Sequence, residues 1–249
     1  MPGIYGMAVL TLVITAILGI TFLNQMTGSD RRYIWLTLAG LTLSLIINRF
    51  VKTPLITSLA AWAGIPLQLS DAPFWFVAAI WLNAPVFEEA IKMLPVIVAS
   101  GRGLLRDAAH ALWAGLAVGM GFGLGEAAYL AYGIAQSPDH QGLPWYAFTG
   151  FASERLIVTF AHGFMTSLAV LGLHEGRTRA LFRDLAAVGL HALINLGPIL
   201  LALKMIPAAV SSLITYGTIL GTFIIFQREE RAARKISKIL TEEIIYFER

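Results

Sequence analysis

The sequence predicts an all-α fold: a polytopic bundle of membrane-spanning helices. Three observations predict it. The chain holds seven apolar runs close to the roughly 20 residues needed to cross the hydrocarbon core of a bilayer. Only 13% of its residues are charged, against roughly 25% in a soluble domain. Its lysines and arginines gather in alternate loops and near the C-terminal end, the pattern of a chain sorted by the positive-inside rule.

The first span is placed at 4–26. Its apolar run, Ile4 to Phe22, follows no basic segment and precedes no small-x-small cleavage site, so it reads as a retained span and not as a signal peptide. Further spans are placed at 33–50, 74–99, 108–135, 151–174, 184–203 and 206–226. Segment 51–73 contains Pro54, Gly64, Pro66 and Pro73 around a short apolar run at 55–63. It reads as a re-entrant or interfacial segment, with an eighth span as the alternative. In the third span Pro85 removes a backbone hydrogen bond and predicts a kink. The fourth span carries Gly115, Gly119, Gly121, Gly123 and Gly125, whose four-residue spacings suit close packing of helices. No strand–turn–helix unit surrounds them, so they do not form a dinucleotide loop.

The tail from Gln227 places Ile236, Ile239, Leu240 and Ile244 on one helical face among charged residues. It predicts a cytoplasmic amphipathic helix resting on anionic lipid. The chain thus divides into a transmembrane domain, 1–226, and a tail, 227–249. Trp35, Trp62, Trp75, Trp81, Trp113 and Trp145 read as interfacial anchors.

Arg31 and Arg32 follow span one, Arg102 and Arg106 span three, and Arg177, Arg179 and Arg183 span five. Arg228, Arg231, Arg234, Lys235 and Lys238 follow span seven, while 136–150 has no lysine or arginine. This puts the N-terminus outside and the C-terminus in the cytoplasm of a plasma-membrane protein. Arg49, Lys52 and Lys204 fall on the wrong side. The net charge of +3, spread in this way, describes topology and not a nucleic-acid surface. The absence of cysteine excludes disulfides, a thiolate nucleophile and cysteine-bound metal.

Four polar clusters lie inside these spans: Glu88-Glu89-x-x-Lys92, Glu126, His162, and His191-x-x-x-Asn195. An ionisable group at the centre of a membrane helix costs about 2.5–3.5 kcal/mol on insertion scales, so each needs a partner or a role. Counted from the outer end of its span and converted at about 1.5 Å per residue, each cluster lies about 12–21 Å deep. The spans alternate in direction, so this common depth points to one polar cavity. Lys92 can neutralise one of the paired acids; two acids against one base leave an excess charge that structure alone does not need. His191 shares a face with Asn195, and His162 shares one with Thr166 and Arg155.

Several hydrolytic chemistries are excluded. Asp30, Asp71, Asp107, Asp139 and Asp184 all fall in loops or at span ends, so an aspartyl pair is missing. There is no GxSG turn and no HExxH; His174-Glu175 continues as Gly-Arg-Thr. What remains is carboxylate with histidine: a glutamate acting as general base on water, with histidines and an asparagine orienting the water and stabilising an oxyanion.

The string FEEAIKMLP resembles the EExxK/R motif of the glutamate-type intramembrane proteases, the clan of the CAAX prenyl endopeptidases, the bacteriocin-processing proteins and the PrsW and YhfC groups. GFGLGEAAYLAYG resembles the second PrsW-type motif, SERLIVTFAHGFMTSL is similar to the Glu-Arg…His motif of YhfC-like proteins, and LHALINLG resembles the terminal HxxxN. The motifs run in order over about 74–203. The resemblance implies Glu88 or Glu89 as the base, His162 in water activation, His191 and Asn195 at the oxyanion, and Lys92 and Glu126 in support, with Arg155 part of the Glu-Arg…His string. Lys92 stands at i+3 from Glu89 as in PrsW, and Glu126 replaces the FxxxH of the prenyl endopeptidases. Both features turn the resemblance toward PrsW and YhfC and away from a prenylated substrate. The expected activity is endopeptidase cleavage of a membrane-anchored protein or peptide, with the bilayer as the other partner and no cofactor, metal or nucleic acid. A metal-dependent peptidase, with Glu88, Glu89, His162 and His191 as ligands, and an ion-coupled transporter are the alternatives.

Overall fold

A computed structural model of the chain describes residues 2–65, 67, 69, 72–99 and 103–247, with side chains described through 236. Its helices are α1 (Gly3–Thr27), α2 (Arg31–Ile47), α3 (Thr53–Ala63), α4 (Phe74–Lys92), α5 (Leu94–Ala99), α6 (Ala108–Gln136), α7 (Thr149–Glu175), α8 (Arg177–Ala202) and α9 (Ala208–Phe247). Among the described residues there is no strand, and seven helical stretches are long and apolar enough to cross a membrane.

Boundaries follow local chemistry. Asp30 caps α2 by accepting from the Arg32 backbone N–H at 2.9 Å, and Asp107 caps α6 by accepting from that of His110 at 2.9 Å. Each satisfies an amide that the first turn leaves unpaired. Gly64 ends α3 in a left-handed conformation, φ 65°, which glycine adopts without a Cβ penalty.

Two expectations are corrected. Residues 53–63 are not an eighth span but continue the helix of the second, and the rest of the 51–73 segment lies partly outside the described residues. A π-helical stretch, Asn48–Lys52, joins α2 to α3, and Arg31–Ala63 is one apolar helical stretch of 33 residues. At about 1.5 Å per residue it is about 50 Å long, more than the hydrocarbon core requires. Pro54 sits in the first turn of α3, directly after the wide π turn, where its missing N–H is tolerated. The tail, in turn, is not a separate surface helix, because α9 is unbroken across 226–227. Phe226 and Ala233 are buried in the main core, and the Arg234 guanidinium lies 5.3 Å from the centre of the Trp113 ring. The start of the tail therefore packs on protein. The expected face at Ile239, Leu240 and Ile244 lies outside the described side chains.

α6 occupies the centre. The glycine spacing does what close packing needs. A Cβ at Gly115, Gly119 or Gly123 would strike α7 at Ser167, His162 or Thr159, and one at Gly121 or Gly125 would strike α2 at Thr37 or Leu41. Backbone thus meets backbone on both flanks of α6, and α1, α4, α8 and α9 complete the bundle around α6 and α7.

Candidate active site

The four clusters converge. Glu89 Oε1 accepts from Lys92 Nζ at 2.7 Å and from His191 Nδ1 at 2.7 Å. Lys92 Nζ also reaches His162 Nδ1 at 2.8 Å and sits 4.5 Å from the centre of the Phe122 ring. His162 Nε2 meets Glu126 Oε2 at 3.1 Å, and Arg155 Nη1 meets the same oxygen at 3.1 Å. The rings of His162 and His191 stand edge to face, 5.1 Å between centres. Glu88, Glu89, Lys92, His162 and His191 are all buried.

Sequence reasoning missed one member. Lys52, in the π-helical stretch, pairs with Glu88 Oε1 and donates to Asn48 Oδ1 at 2.8 Å; Asn48 in turn donates to the Ser44 carbonyl at 2.8 Å. A second base therefore faces the two acids, and the excess negative charge expected between Glu88, Glu89 and Lys92 is absent. Its signal in the sequence was its misplacement against the positive-inside pattern. Counting Glu126, Glu154 and Arg155, four carboxylates meet three cations. Trp81 was also misread. It is no interfacial anchor: its indole N–H donates to the Ala192 carbonyl at 2.7 Å, tying α4 to α8 beside His191.

The bonds fix the tautomers. A lysine ammonium only donates, so His162 Nδ1 accepts from Lys92 and Nε2–H donates to Glu126. A carboxylate only accepts, so His191 donates from Nδ1 to Glu89, and its Nε2 is turned toward Glu88. That nitrogen lies 3.9 Å from Glu88 Oε2. Glu88 Oε2 and Glu89 Oε2 are buried and have no hydrogen-bond partner among the described residues. Each calls for a group that donates to it or binds it, because an unpaired buried acceptor is costly.

A cavity of about 50 Å³ lies on the histidine side of the cluster, lined among others by Glu126, Arg155, His162, His191, Asn195 and Thr215 but not by Glu88 or Glu89. That is room for a few water molecules. Asn195 takes part as a lining residue, and Arg155 stands toward the mouth, bridging Glu126 and the half-exposed Glu154. The early position of Arg155 in α7 and of Thr215 in α9 places the mouth toward the bundle end that carries the loop without lysine or arginine.

The donors also fit a metal ion in part. Glu88, His162 and His191 each offer a ligand atom, all within 4.8 Å of one another, and two histidines with a glutamate form a known zinc set. Glu88 Oε2 and His191 Nε2 are free for such an ion. His162 is not, since each ring nitrogen already has a partner.

Ordered motifs on facing helices, meeting in one buried cluster, are what an intramembrane hydrolase of this kind requires. Over residues 28–226 the chain matches the family described as PrsW family intramembrane metalloprotease. It belongs to the PrsW family. This makes it an integral membrane protein of a protease family. Neither a curated protein nor a solved structure matches the chain.

Proposed function

We propose that this PrsW-family chain is an endopeptidase that cleaves a membrane-anchored protein or peptide, with Glu88 and His191 holding the attacking water. The observation that carries this reading is the buried Glu88 Oε2, without a hydrogen-bond partner among the described residues, with His191 Nε2 3.9 Å away. A water seated beside them can donate to either group. Glu88 takes one proton as the oxygen attacks the scissile carbonyl carbon, and later delivers it to the leaving amine nitrogen as the C–N bond breaks. Glu89 holds the ring and tautomer of His191, the part a carboxylate plays beside a working histidine. Lys52 and Lys92 balance the charge of the two glutamates.

This division of labour shifts His191 from the oxyanion, where the family resemblance put it, to the water. Asn195 Nδ2 and His162 Nε2–H are then the donors for the developing oxyanion, the histidine by swinging from Glu126. Arg155 and Glu126 hold His162 from the mouth. The loop charges support an N-terminus outside, a C-terminus in the cytoplasm and a mouth toward the outer face of the plasma membrane. Residues 1–226 form the proteolytic domain and 227–249 a cytoplasmic tail, which through Phe247 continues the last helix.

A second reading has its own support. Glu88, His162 and His191 could hold a divalent metal ion, and the family description names a metalloprotease. Such an ion would polarise the scissile carbonyl and acidify water. Lys52 and Lys92 already pair with Glu88 and Glu89, and His162 would have to release Lys92 or Glu126, so the metal-free reading is preferred.

The test uses purified protein in liposomes with fluorescent single-span peptides as substrate. Glu88→Gln is expected to lower cleavage by about 100-fold or more while the protein stays folded. Full activity in Glu88→Gln would sink the proposal. Stoichiometric zinc in the wild type, lost in Glu88→Gln, with chelator inhibition reversed by zinc, would replace it by the metal reading.

A further inference from the structure

Arg49 is exposed on the lipid-facing side of the π-helical stretch, and it makes no hydrogen bond or ion pair among the described residues. Its position in the chain is one turn from Lys52, yet the two cations have different fates. Lys52 turns inward to Glu88; Arg49 turns outward to a surface groove of about 370 Å³ between α2 and α6. Leu45, Ile46 and Ala128 supply apolar lining, and Tyr129 and Tyr132 line the same groove as Arg49. Tyr129 is held in place by its hydroxyl contact with Thr53 at 2.7 Å. The Tyr132 side chain is half exposed and has no hydrogen-bond partner among the described residues.

We propose that this groove binds one anionic phospholipid, its phosphodiester on Arg49 and the Tyr132 hydroxyl and an acyl chain along Leu45 and Ile46. Three features commit the groove to that occupant. An unpaired arginine on a membrane helix needs an anion or water at its tip. Tyrosines are at home at headgroup level. The apolar floor continues from the charged end, as a lipid, and not a free phosphate ion, requires. The site lies toward the end of the bundle that carries the C-terminus of α6, and it accounts for a basic residue on the wrong side of the charge pattern. It is independent of the proteolytic reading, and binding is measured without reference to activity.

The experiment is native mass spectrometry of the full chain, delipidated in nonionic detergent and offered an equal mixture of dioleoyl phosphatidylglycerol and dioleoyl phosphatidylcholine. The wild type is expected to retain one phosphatidylglycerol in preference to phosphatidylcholine. Arg49→Gln should retain it about fivefold less, the scale set by one basic residue against an anionic lipid. Arg49→Lys should keep most of the binding, and Lys204→Gln, outside the groove, all of it. Undiminished retention in Arg49→Gln, equal retention of both lipids, or an equal loss in Lys204→Gln would overturn the proposal. If Arg49→Gln fails to fold, Leu45→Trp, which fills the acyl floor and keeps the charge, should lower retention; unchanged retention there would also overturn it.

Discussion

α6 and α7 are built differently from α4 and α8, although all four supply the site. In α6 83% of the most apolar window is buried, and in α7 72%, against 33% for the α4–α5 stretch and 28% for α8. The first pair is joined by backbone packed on backbone, glycine against carbonyl. The second pair lies at the lipid boundary and reaches the centre through polar contacts: Glu89 with His191, Trp81 with Ala192, and Glu88 with Lys52 from the α2–α3 stretch. The scaffold holds His162 and Glu126 by shape, while the thinner elements are held in register by charge. In those elements one side chain therefore serves both stability and chemistry, and the two can be separated by choosing where to cut.

The largest effect is expected at the outer elements. Lys52→Met removes the cation from fully buried Glu88. Stranding a buried charge costs about 3–5 kcal/mol, somewhat less here because Lys52 keeps slight exposure. The thermal midpoint in detergent should fall by many degrees, and Lys52→Arg should recover much of the loss. An unchanged midpoint in Lys52→Met would mean that charge does not hold the α2–α3 stretch against α4.

A smaller loss is expected in the scaffold. Gly119→Val puts a branched side chain against the His162 carbonyl and Gly163. Neither is a flexible side-chain end that could move aside, so the overpacking cost is about 3 kcal/mol. The control is Gly189→Ala on α8, where a Cβ would meet nothing within 4 Å. That change should be neutral or slightly stabilising, since alanine is the better helix former. Equal midpoints for the two variants would show that glycine contact does not distinguish the scaffold from the outer helices.

The sequence made the spans and most of the cluster legible for one reason: ions are costly in hydrocarbon. Glu88, Glu89, Lys92, Glu126, His162 and His191 stood out because each interrupts an apolar run, and they meet in the fold. Lys52 and Asn48 did not stand out. A 3.6-residue pattern ends the second span near residue 50, and a π turn has no compositional mark, so the stretch that brings Lys52 to Glu88 reads as the start of a re-entrant or interfacial segment. The hydrogen-bond identities were out of reach as well. Nothing in the spacing of Glu88 and Glu89 tells which one faces His191 Nδ1, because adjacent residues point about 100° apart on a helix and only the neighbouring helices decide which direction is inward. Trp81 failed for a related reason, since indole suits a membrane interface and a buried carbonyl equally well.

Trp81 gives the smallest effect and the sharpest comparison. Its N–H reaches the Ala192 carbonyl at 2.7 Å, one residue past His191, and no scaffold residue makes that contact. Trp81→Phe keeps an aromatic ring and deletes the donor, at a cost of about 1 kcal/mol, so the midpoint should drop only slightly. If α8 is held in register by such contacts, His191 loses its seating opposite Glu88, and turnover should fall by more than stability does while KM stays nearly constant. A midpoint shift with unaltered turnover would reduce Trp81 to an anchor and leave the Glu89–His191 bond alone to position the histidine. In that case Glu89→Gln, which keeps an acceptor but removes the charge facing Lys92, becomes the variant in which turnover should fall.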